Sequence, residues 1–149
     1  MRNIVRLAAV ICTTAFLTGC ATGPKYEAVN SSIPGLDPSN GRIYFYRNVS
    51  MLIGGGLQPA VLLNGTKVGS ATPGGFFFVD HSPGPIEVAT STEVERKVTF
   101  NLEAGQVRYV HMYVGVGLLV GRVYPELVDA KVAEKHIESL SYTGNQLRR

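Results

Sequence analysis

The chain has 149 residues, 45% of them hydrophobic and 17% charged. That length fits a single domain, and that balance excludes an intrinsically disordered chain. The formal net charge of +3 overstates its basic character: without Arg2 and Arg6, in a segment expected to be removed, 12 basic residues face 11 acidic ones. The basic doublets are Arg96-Lys97 and Arg148-Arg149. They read as solvated surface, so no nucleic-acid partner is expected.

Residues 1–6 carry two arginines and no acid, and Leu7 to Leu17 is an apolar run of 11 residues. Such a run is too short to cross a bilayer, which needs about 20 residues. With small residues after it, it reads as a secretory signal peptide over residues 1–19. Leu17-Thr18-Gly19-Cys20 resembles the lipobox of bacterial lipoproteins. The resemblance implies that Leu17, Thr18 and Gly19 guide the signal peptidase and that cleavage follows Gly19. Cys20 then carries a diacylglyceryl thioether and an amide-linked acyl chain such as palmitate. Each buried CH₂ contributes about 0.8 kcal/mol, so two or three chains hold the protein to membrane lipid. Ala21 stands where Asp would resemble an inner-membrane retention signal. An outer-membrane anchor with the domain facing the periplasm is therefore expected. Cys12 leaves with the signal peptide, so no intramolecular disulfide is expected.

Residues 20–40 lack a sustained period and hold three prolines. They are expected to be a flexible tether spanning roughly 25 Å, the alternative being an edge segment packed through Tyr26, Val29 and Ile33. The folded domain is expected over residues 41–149. Arg42 to Arg47 is a strand with apolar groups on both faces, hence central. Gly54-Gly55-Gly56 is a loop, and Leu57-Gln58-Pro59 after it excludes a phosphate-binding loop. Ala60–Leu63 and Thr66–Ala71 form a hairpin about Asn64-Gly65, a pair that tolerates positive φ.

Phe76 to Val79 is the next strand, followed by a turn at residues 82–85 and strands over 86–92 and 95–102. In the last, Val98, Phe100 and Leu102 alternate with polar residues, giving one buried face. After a turn at residues 103–106, Val107–Val114 pairs with Leu118–Val123. Asp129 to Leu140 shows helical spacing with Asp129 as N-cap, predicting a short amphipathic helix laid on the sheet or over one of its edges.

Short strands between regularly spaced turns predict a mainly β fold: a small antiparallel β-sandwich with one short C-terminal helix. The Val61–Gly69 hairpin, Ser82-Pro83-Gly84 and Val98–Gln106 resemble PEGA-type and carboxypeptidase-regulatory-like modules. Those are prealbumin- or Ig-like sandwiches, and the likeness implies a binding or structural part. The lipobox with Gly41-Arg42-Ile43-Tyr44 and Gly75-Phe76-Phe77 also resembles a lipoprotein family with a domain of unknown function.

No catalytic, metal or cofactor constellation stands out. His81, His111 and His136 show no ligand spacing, and Asp80-His81 reads as a turn pair rather than a catalytic dyad. His111 reads as a satisfied sheet histidine beside Tyr109 and Tyr113. No Gly-x-Ser-x-Gly elbow occurs, and Glu93 and Glu95 read as turn charges. Phe76-Phe77-Phe78 reads as core. The stretch containing Val116, Leu118, Leu119 and Val120 is either a buried hairpin or an interaction surface. The expected function is a non-catalytic binding or scaffolding domain with a partner among envelope proteins or polymers. The alternatives are a carrier of a small apolar ligand or lipid, and an enzyme acting on envelope carbohydrate or peptide.

Overall fold

The computed structural model describes residues 19–49, 56–91, 96–115, 122–145 and 147. Among these residues nine strands form two sheets. The strands are β1 (Gly41–Arg47), β2 (Ala60–Leu63), β3 (Thr66–Ser70), β4 (Gly75–His81), β5 (Gly84–Thr90), β6 (Lys97–Leu102), β7 (Val107–Gly115), β8 (Arg122–Val128) and β9 (Ser141–Tyr142). Two short α-helices are described with them, α1 (Tyr26–Val29), continued by a 3-10 turn at Asn30–Ser32, and α2 (Ala130–Ile137). One sheet has the order β8-β7-β1-β4-β9 and the other β3-β2-β5-β6.

The two-sheet, mainly β architecture follows from alternation. Ile43 and Phe45 of β1, Phe77 of β4, and Val110 and Met112 of β7 share one face of the larger sheet. Val61 and Leu63 of β2, Ile86 and Val88 of β5, and Leu102 of β6 supply the facing layer, and all of these are buried. The sheets close tightly enough that a Cβ on Gly69 of β3 would lie 2.6 Å from Cζ of Phe77. The β2–β3 turn is the expected one, with Asn64 at φ 47° and Gly65 at φ 80°.

Two pairings run parallel, β1 with β7 and β4 with β9, where an antiparallel sandwich was expected. The turn before β7 explains the first. Gly105 N donates to Asn40 O at 2.8 Å and Arg42 N donates to Gln106 O at 2.8 Å, so β7 starts beside the start of β1. β8 begins at Arg122 and continues through Pro125 to Val128, beyond the expected strand end at Val123. Proline is admissible there because β8 is an edge strand.

The other face of β1 is also buried. Tyr44 and Tyr46 lie level with Phe78 and Phe76 of β4 and with Tyr109 and His111 of β7. α2 covers this face with Ala133 and Ile137, both buried. Its N-cap is Asp129, whose carboxylate accepts from Lys131 N at 2.9 Å.

The stretch 20–40 is not a free tether. Ala21 N donates to Pro73 O at 2.9 Å, Tyr142 N to Pro24 O at 2.8 Å and Tyr26 N to Leu140 O at 3.0 Å. Lys25 bridges to Ser141, and Val29 is 5% exposed. Tyr26 meets Phe76 edge-on at 5.7 Å. Apolar residues spaced along the segment find cover on the sheet, which overrides the loop-like composition.

Because the Phe77 ring leaves no room at Gly69, Gly69→Val is expected to destabilise the domain by about 1–3 kcal/mol. Urea unfolding followed by circular dichroism would read this as a lower midpoint with unchanged slope.

Candidate functional site

Strand direction sorts the connections into two ends. β1 and β7 finish, and β2 and β8 begin, at the end where the amino-terminal segment joins the domain. Cys20 lies there, exposed. Gln58 Nε2 donates to Gly19 O at 3.2 Å. Residues 20–23, Gln58, Thr72 and residues 142–144 line a shallow open cleft. Gly23 fits because a Cβ there would come 1.7 Å from Tyr142 O. Leu17 and Thr18, with the rest of residues 1–18, lie outside the described residues.

Between α2 and the larger sheet runs a seam of aromatic and titratable groups. Tyr46 stacks on His111 at 4.8 Å, and its hydroxyl lies 3.3 Å from His136 Nδ1. The His111 and His136 rings are 6.2 Å apart. Burial and the nearby Glu126 raise the Tyr46 phenol to about 12, so it stays protonated and can donate to His136. Burial, with His136 adding to it, lowers His111 to about 4, so both effects favour its neutral form. Sequence spacing could not pair these histidines, because one comes from a strand and the other from a helix laid across it.

Further along the seam, Tyr44 stacks on Tyr109 at 5.3 Å, and Tyr109 OH donates to Glu134 Oε1 at 2.9 Å. Burial, then this bond to a carboxylate, raises the Tyr109 phenol. Tyr26, Tyr44, Tyr109, Glu134, Ile137 and Glu138 enclose a cavity of about 170 Å³. Its volume is small beside ligand pockets of roughly 300–1,000 Å³, and its hydroxyl and carboxylate lining suits water or a small polar group.

Asp80 is engaged in structure. Arg42 grips both its oxygens, Nε to Oδ1 at 2.6 Å and Nη2 to Oδ2 at 2.7 Å, and Nη1 donates to Pro34 O at 2.9 Å. The guanidinium also lies 4.4 Å from the centre of the Phe78 ring. His81 projects to the opposite side of β4, its Nδ1 2.8 Å from Ser82 O. Asp80, His81 and His111 are therefore not brought to one place. Of the basic doublet, Arg96 lies over the Tyr124 ring at 5.3 Å and Lys97 pairs with Glu87 at 3.0 Å.

Val116, Leu118, Leu119 and Val120, with Glu93 and Glu95, lie outside the described residues. Among the described residues no group of three or more His, Cys, Asp or Glu is placed to hold a metal ion. Nor is any helix among them long and apolar enough to cross a membrane.

A family model described as a protein of unknown function, DUF2846, matches residues 37–122. The match runs from the turn before β1 to the first residue of β8. No curated protein and no solved structure matches the chain.

The neutral His111 makes stability depend on pH. Its folded value of about 4 lies below the ordinary 6.5, so the unfolded chain binds the extra proton between those values. Stability is expected to be intact above pH 6.5 and to fall as pH drops toward 4. Allowing for partial solvent screening, the loss is on the order of 1–2 kcal/mol. Denaturant midpoints measured across that range would show the slope, and His111→Phe would flatten it.

Proposed function

The chain belongs to the DUF2846 family of proteins of unknown function, and from its own residues we propose that it is a lipid-anchored protein of the bacterial cell envelope. In this reading Cys20 carries the acyl chains, the domain faces the periplasm from the outer membrane, and the sandwich binds or scaffolds rather than catalyses. The observation that carries the proposal is Leu17-Thr18-Gly19-Cys20 directly behind the Leu7–Leu17 apolar run, itself preceded by two arginines.

Several features support the reading. Cys20 is a free, exposed cysteine, open to modification at its thiol. Asp80 of the larger sheet is held by Arg42, and His136 of α2 lies against the Tyr46 hydroxyl. The likeness of the Val61–Gly69 hairpin to PEGA-type modules points to a binding part. Ala21 after the cysteine favours the outer membrane. Partners of this chemistry are envelope proteins or polymers met by exposed turns.

Mass analysis of the product recovered from a bacterial envelope tests the proposal. The expected species begins at Cys20 with the added mass of a diacylglyceryl group and an amide-linked acyl chain, and it partitions into detergent. Cys20→Ser is expected to abolish both the added mass and the partitioning. An unmodified thiol on the native product, or a retained Met1, would overturn the reading.

A further inference from the structure

We propose that the end of the sandwich carrying Cys20 lies flush against the phospholipid headgroups, so that the domain has one fixed orientation on the bilayer. The inference rests on the lipid anchor proposed above and adds to it the surface that meets the membrane.

The first argument is slack. Consecutive Cα atoms are about 3.8 Å apart, and Ala21, the residue after the cysteine, is already bonded to Pro73 O. Gly23 is packed on Tyr142 O, and Pro24 O receives Tyr142 N. Lys25 Nζ donates to Ser139 O at 3.2 Å. Acyl chains on Cys20 thus have about one peptide unit of free chain before the rigid domain begins. A flexible stretch of 20 residues would have given roughly 25 Å.

The second argument is charge. Among the described residues that supply this end, 20–24, 48–49, 56–59, 71–74 and 141–145, none is Asp, Glu, Lys or Arg; Glu93 and Glu95, between β5 and β6, lie outside the described residues. The exposed side chains described here include Thr22, Val49, Gln58, Thr143 and Asn145, with Val49 53% exposed. Val49 sits against the β3–β4 turn, since a Cβ on Gly74 would lie 2.9 Å from its Cγ2. A neutral surface can approach the interface without desolvating ions, and an exposed Val gains by entering it. At its border among the described residues stand the basic Lys25, Arg96 and Arg122, with the acidic Glu27 and Glu138 exposed nearby. Lys25 bridges to Ser141 of β9, Arg122 opens β8 and Arg96 precedes β6. Each of these three cations suits lipid phosphate.

The opposite end is built differently. It carries the Asn64-Gly65, Ser82-Pro83 and Ala104-Gly105 turns with Asp37, Lys67, Glu103 and Asp129 exposed. The seven residues of β1 hold this end roughly 20 Å away from the first.

The experiment uses the full lipidated chain in vesicles of phosphatidylethanolamine and phosphatidylglycerol, with its lipidation verified by mass. An environment-sensitive fluorophore is placed through Val49→Cys or Thr143→Cys at the near end, and through Ser82→Cys or Ala104→Cys at the far end. Nitroxide-headgroup lipid is expected to quench the near-end labels at least threefold more than the far-end labels. Inserting about ten Gly and Ser residues between Cys20 and Ala21 adds roughly 17 Å of reach and is expected to remove at least half of that difference. Equal quenching at both ends of a lipidated protein, or a difference untouched by the insertion, would overturn the flush orientation and leave the anchor standing. Absence of lipid on Cys20 would overturn both.

Discussion

The structure turns on one strand that is buried on both sides. β1 sends Ile43 and Phe45 between the sheets and Tyr44 and Tyr46 to the opposite face. A two-layer sandwich satisfies only the first pair, so the fold needs a third layer. α2 supplies part of it, laying Ala133 and Ile137 on the outer face of the larger sheet. The segment Ala21–Ser32 supplies the rest, with Val29 buried and Tyr26 against Phe76. At roughly 1.5–3 kcal/mol for each large apolar side chain removed from water, covering this face outweighs the loss of freedom in a short loop.

From that demand follows the placement of every group of chemical interest. Because the covering helix crosses strands, His136 arrives above His111 and Tyr46, and Glu134 arrives above Tyr109. Because the amino-terminal segment is part of the cover, it leaves the domain at a fixed place, beside Pro73 and Tyr142. Arg42 and Asp80 close the far end of the same face, joining β1 to β4 and to the carbonyl of Pro34.

Local chemistry made much of this legible in advance. Asn64-Gly65 specified its hairpin, Asp129 its helix start, and the alternation from Lys97 to Leu102 a one-sided strand, as the structure has them. The apolar residues on both faces of Arg42–Arg47 indicated a central strand, and β1 lies between β7 and β4. What stayed hidden was non-local. The parallel partner of β1 is some 65 residues away in sequence and leaves no periodic trace. α1 and β9 are too short to show a period. The cover formed by residues 21–32 depends on Phe76 and Tyr142, which the segment itself gives no hint of meeting. β8 runs past the expected strand end at Val123, and its edge position is what admits Pro125.

That proline has a wider bearing. Proteins confined to a surface meet one another side by side far more often than in bulk, and an open sheet margin invites backbone pairing between neighbours. The larger sheet ends on one side in β8, where Pro125 removes an amide donor, and on the other in β9, only two residues long. Neither margin of this sheet offers a continuous ladder, so crowded copies would not merge through it into a shared sheet.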